Sequence, residues 1–270
     1  MKRDSLKDLA GDPRFIPGIY NYCDRWCERC PLSNRCLNYA MERAEDGGDP
    51  ASRDITNEKF WKKIEQNFRD TIEMIRANAK ERGIDLDDPN LPADAIASER
   101  MERRRAAKNR PLAKAAMSYA KATDNWFKES EKLFEAKGVE LGTMAQLEVG
   151  NPLSEANELK ELADVIRWYQ HFIYVKLSRA IGSQASEELE TDEEMKTFPK
   201  DSDGSAKIAL IGIDRCIAAW SALRTALGPD ETDGILDLLV QLGAIRRDTE
   251  KLFPRARAFV RPGFDEMLNV

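Results

Sequence analysis

Apolar positions recur every three or four residues along most of the chain after residue 54, a period that predicts helices rather than strands. Phe60, Ile64, Phe68, Ile72 and Ile75 form one stripe with charges between them, so residues 54–83 read as one amphipathic helix that Gly83 ends. Residues 84–98 carry prolines and aspartates without such a stripe and read as a connection. Leu112, Ala116, Tyr119, Phe127 and Phe134 mark a second long helix, opened by Pro111 and closed at Gly138. A third runs from Ser154 to about Ile181 and a fourth from Ser205 to Leu227, with Asp203 to Ser205 as its cap. Both are apolar on most sides, the pattern of helices inside a bundle. A fifth, Asp233 to about Leu252, has a stripe of Ile235, Leu238, Leu239, Leu242 and Ile245, and Pro254 ends it. The expected fold is all-α: a multi-helix bundle of about five main helices over residues 51–270, behind a cysteine-rich segment over residues 1–50.

Composition supports that picture. Of 270 residues, 42% are hydrophobic, enough to bury a core, while 33% are charged and no apolar run approaches the roughly eighteen residues that a membrane span needs. Residues 187–203 are acidic and without apolar period, a solvated loop. Asp201, Asp203 and Gly204 imitate part of a calcium loop but lack its further ligands. The net charge of −6 argues against a general nucleic-acid binder. The one dense basic run, Arg100 to Arg110, has no interleaved aromatics and reads as a solvated helix face or one that meets an acidic partner. The tail from Arg255 to Glu266 combines arginines, Phe259 and Phe264 with a Pro-Gly turn, and is expected to pack back on the bundle, with the cysteine loop, its negative charge facing the arginines, as a candidate surface.

The strongest chemical signal is Cys23, Cys27, Cys30 and Cys36, in the spacing C-x3-C-x2-C-x5-C. Four thiols so close in sequence can reach one point, and four thiolates are what a tetrahedral zinc or an iron–sulfur cluster requires. Disulfides fit poorly. Cysteines two or three residues apart bridge one another only with strain, and Met1 to Asp8 holds no apolar stretch of the signal-peptide kind, so reduced thiols and a cytoplasmic location are expected. Zinc ligands usually come as two separated pairs; here all four lie in one short segment and Pro31 follows Cys30, as in compact ferredoxin-type loops. An iron–sulfur cluster, [4Fe–4S], is therefore the expected cofactor, with zinc as the alternative. Arg25, Arg29 and Arg35 stand near enough in sequence to offset its negative charge.

The first three cysteines resemble the triplet of radical S-adenosylmethionine enzymes, and the last three resemble the opening of the auxiliary-cluster motif attached to some of them. Arg29 stands where that family usually has an aromatic residue, and helices rather than alternating strands and helices follow. The resemblance implies a cluster and transfers no activity.

The third and fourth helices hold polar residues among apolar ones: Asp164, Arg167, His171 and Lys176, then Asp214 and Arg215. Buried charges need partners, so these are expected to form either a structural network across the helix interface or a pocket lined by Asp164, His171, Asp214 and Arg215. His171 is the only histidine, which excludes the paired Glu-x-x-His pattern of a carboxylate-bridged di-iron bundle and leaves histidine-based nucleophile schemes without a recognisable setting. Cys216, in an apolar helix, reads as a core residue. No glycine-rich phosphate loop occurs. The sequence thus points to a cluster-bearing helical protein in electron transfer or redox sensing, with a redox or protein partner. Its alternative is a zinc-stapled helical protein that binds protein or nucleic acid. Neither reading supplies a catalytic residue.

Overall fold

In the computed structural model, described for residues 11–46, 51, 54–88, 92–191, 193, 199–228 and 233–265, every regular element is helical. Among the described residues, eight α-helices stand where about five main ones were expected: α1 Leu37–Asp46, α2 Glu58–Glu81, α3 Ala93–Asn109, α4 Pro111–Glu129, α5 Glu131–Gln146, α6 Pro152–Glu187, α7 Asp201–Leu227 and α8 Asp233–Leu252. No helix among the described residues is long and apolar enough to cross a membrane. The chain divides into two compact units, residues 1–98 with 261–270, and residues 99–260.

The unit 99–260 is built on α6 and α7, its most extensive pairing, with α4 and α8 packed beside them and α5 against α6. The two central helices meet closely at Gly212, where a Cβ would lie 3.0 Å from the Tyr169 ring and 3.3 Å from Ile173. A larger residue would push the helices apart and undo contacts that close packing supplies. Tyr119, Tyr169, Ile166, Ile173, Leu177, Ile213, Trp220 and Leu223 are fully buried here. Trp126, Phe127, Phe134 and Trp220 form an aromatic cluster, the Trp126 and Trp220 rings 4.8 Å apart and edge to face, and the Trp220 indole N–H donates to the Tyr119 hydroxyl at 3.0 Å.

Three boundaries in this unit differ from the sequence reading, the first being the third helix, which runs on past Ile181 to Glu187. The second helix is two, broken at Ser130, and its continuation runs past Gly138 to Gln146. The fourth begins at Asp201 rather than Ser205. No side chain at its N-cap, Lys200, caps it; instead Glu187 at the end of α6 accepts the Ser202 backbone N–H at 2.9 Å and its hydroxyl at 2.6 Å. The residues read as a partial calcium loop are thus a helix start, with Asp201 held by Arg179 at 2.5 Å. Positions 192 and 194–198 of the acidic loop lie outside the described residues.

In the other unit, α2 follows the expected stripe. Asn57 caps it through the Lys59 N–H at 3.0 Å, and Gly83, at φ 68°, ends it. Phe68, Ile72 and Ile75 stand exposed. Residues 93–98, expected to be connection, are the first turns of α3, and the basic run occupies the rest of that helix.

Candidate metal centre

The cysteine segment is built from short turns. Single turns of 3-10 helix at Ile19–Asn21, Cys27–Arg29 and Ser33–Arg35 alternate with bends, and α1 begins directly after Cys36. Cys27 opens the second turn, and Cys30 and Cys36 each follow a turn, their backbone N–H groups donating to the carbonyls of Cys27 and Ser33. Asp24 accepts the Trp26 N–H at 3.2 Å, and Arg25 between them adopts φ 61°, a left-handed conformation that costs a non-glycine residue energy. The Ile16 N–H donates to the Arg35 carbonyl at 3.0 Å, closing the segment into a loop.

These turns bring Cys23, Cys27, Cys30 and Cys36 to one cavity of about 20 Å³, walled also by Ile19, Tyr20, Trp26, Tyr39 and Phe264. Burial pushes the Cys27 thiol up to about 11, with the charges of Glu42, Cys23, Cys36 and Glu28 adding to the effect. Burial likewise raises Cys30, while a hydrogen bond from the Leu32 backbone N–H acts the other way. Each raised thiol feels its neighbours as negative charges, the repulsion that a bound cation would remove. Cys36, at the start of α1, has the positive end of a helix behind it. Among the described residues, no three or more His, Cys, Asp or Glu side chains stand close enough, as placed, to hold a single metal ion.

Phe264 comes from the far end of the chain. Gly263 before it has φ 75°, and a Cβ there would lie 2.7 Å from Ile16 Cδ1, so the tail passes closely over the start of the loop. Gly263 and Phe264 therefore pack on the cysteine segment, one of the placements expected for the tail, while Ala256 is buried within the unit 99–260. Its arginine does not face the thiols: Arg261 pairs with Asp265 at 2.8 Å and lies over the Phe264 ring. Arg29 lies over Trp26 at 3.7 Å, and Arg25 lines the cavity. The sequence showed the aromatics of the tail, but nothing in it assigned Phe264 to this wall.

The polar residues of the central helices do not meet in one pocket. Asp164 pairs with Lys160 at 2.5 Å on its own helix. His171 faces Asp124 at 3.3 Å, and Gln170 donates to the same carboxylate at 2.8 Å. Arg167 lies over the Phe127 ring at 4.2 Å, Lys176 over Phe172 at 5.2 Å, and Arg215 donates to the Tyr169 hydroxyl. Asp214 accepts from Arg257 at 2.5 Å and faces Arg246, and Arg257 also holds Glu250. The Asp214 side chain is 39% exposed, so this is a surface cluster tying the segment after α8 to α7 rather than a buried pair. Asp214→Ala is expected to cost about 1 kcal/mol, the scale of a partly exposed ion pair. Thermal melting checks it, and a loss above 3 kcal/mol would mean the carboxylate is desolvated.

Cys216 behaves differently from the other four. It is fully buried between helices and its thiol is pushed up to about 12 by burial. A thiol reagent added to metal-free folded protein is expected to modify four cysteines, and the fifth only in denaturant. Five rapid reactions would place Cys216 at the surface.

Compared with known proteins, the chain matches no family model, no curated protein and no solved structure.

Proposed function

We propose that Cys23, Cys27, Cys30 and Cys36 hold one iron–sulfur cluster, of the [4Fe–4S] type, and that the protein serves in electron transfer or redox sensing in a reducing compartment. The observation that carries this reading is the shared cavity. The preference for a cluster over zinc rests on the spacing, since all four thiols come from one short segment with Pro31 after Cys30 rather than as two separated pairs. The donor set fits: four thiols, reduced, with no competing histidine in the segment.

Such a cluster supplies one-electron chemistry when bound. The chain's own contribution is to hold four thiolates at fixed positions on hydrogen-bonded turns, to exclude water with Ile19, Trp26 and Phe264, and to stabilise negative charge through the Leu32 N–H and the α1 N-terminus. The visible spectrum of protein purified without oxygen tests the reading. Brown protein that dithionite bleaches supports it; colourless protein that binds zinc with the same cysteines removes the redox role and leaves a structural staple.

A further inference from the structure

Most of the basic run is exposed, and part of it lines a groove. Arg100, Arg103, Arg104 and Lys108 fall on one side of α3, because steps of three and four bring side chains together on a helix. That side forms one wall of a groove of about 890 Å³, and α6 forms another, with Tyr174 and Arg179. Two carboxylates also line the groove and both are occupied: Glu187 by Ser202, and Asp201 by Arg179 and by the Ser183 hydroxyl at 2.7 Å. Arg103 is paired with Glu99 on its own helix. Among the described residues, Arg100, Arg104 and Lys108 meet no carboxylate. Five cations against two acids leave an excess of three positive charges in the groove of a chain whose net charge is −6.

Arg100, Arg104 and Lys108 repeat at four-residue steps, so each repels the next along the helix and the arrangement is unfavourable without a counter-charge. From the first to the third is eight residue steps, about 12 Å along the helix axis. Charges strung out along a line suit a run of phosphates better than a single phosphate, around which they would converge. Three of the four α3 cations are arginines, whose planar fork matches phosphate oxygens, and the Tyr174 ring beside them offers a surface on which a base can stack. We propose that this groove binds the sugar–phosphate backbone of a single-stranded nucleic acid. The chain's overall charge opposes such binding only at a distance; within the groove the sign is reversed.

Fluorescence anisotropy of a labelled oligothymidylate with the full-length protein, across a salt series, tests this. The logarithm of affinity is expected to fall with the logarithm of salt at a slope of about −2, roughly 0.7 for each of three phosphates. Arg100→Gln and Arg104→Gln should each reduce that slope by about 0.7, while Lys132→Gln on exposed α5 leaves it unchanged. All three are surface substitutions, and Lys108→Gln replaces either groove variant should it fail to fold. Absence of binding at low salt overturns the proposal, as do slopes that Arg100→Gln and Arg104→Gln leave untouched. Displacement of the strand by polyglutamate as readily as by unlabelled oligonucleotide, at equal charge, would instead make the groove a site for an acidic protein. Equal displacement by tripolyphosphate would make it one for a small polyanion.

Discussion

Cys27→Ser and Cys30→Ser are each expected to abolish metal binding and to leave residues 11–46 open to proteolysis. The segment has little else to hold it. Its turns are three residues long, and Ile19 and Leu32 are its only buried apolar side chains among the described residues. Where a loop lacks a core, the energy of metal–thiolate bonds is its folding energy, on the order of 10 kcal/mol for structural zinc in small peptides. Serine preserves shape and removes the soft ligand, so the loss reports ligation rather than packing. Metal content and limited proteolysis measure it. Both variants retaining the wild-type metal would mean that these sulfurs are not ligands. Cys216→Ser keeps the metal, because that residue lies in the core of the other unit.

Trp220→Ala should have the largest effect on the helical unit. The side chain is fully buried in the cluster with Trp126 and Phe127, and its indole N–H is bound by Tyr119. Truncating a buried tryptophan costs about 3–5 kcal/mol through lost transfer energy and the cavity left behind, and the buried Tyr119 hydroxyl loses its donor as well. For a unit of this size the melting temperature should fall by about 10 °C or more, followed by near-UV circular dichroism of the cluster. Trp220→Phe should fall between Trp220→Ala and wild type. A shift of under about 2 °C for the alanine variant would show that the cluster collapses around the gap, contrary to the packing described.

The helical class was legible because period and burial agree: Ile213, Trp220 and Leu223 on α7, and Ile235, Leu238, Leu242 and Ile245 on α8, were expected in the core and are there. Gly83 and Pro111 marked real helix ends because their backbone preferences act locally. What the sequence hid depends on distant partners. The start of α7 is capped by Glu187 on another helix, so the local pattern at Asp203 to Ser205 misled. The break at Ser130 carries no glycine or proline to announce it. Asp164, Arg167, His171, Asp214 and Arg215 read as buried because their neighbours in sequence are apolar. In the fold, Asp164, His171 and Asp214 sit at helix edges with partners of their own, and Arg167 and Arg215 bind aromatic residues, so no shared pocket forms. Of the candidate centre, the four cysteines were legible from spacing alone. Phe264 was not, since it reaches the cavity from the opposite end of the chain.

The content of iron, zinc and acid-labile sulfide per chain, on protein purified without oxygen and without added metal, tests the proposed centre most directly. About four irons with an equal amount of sulfide, both absent from Cys27→Ser, is the result the proposed cluster predicts. About one zinc per chain with no sulfide would contradict it.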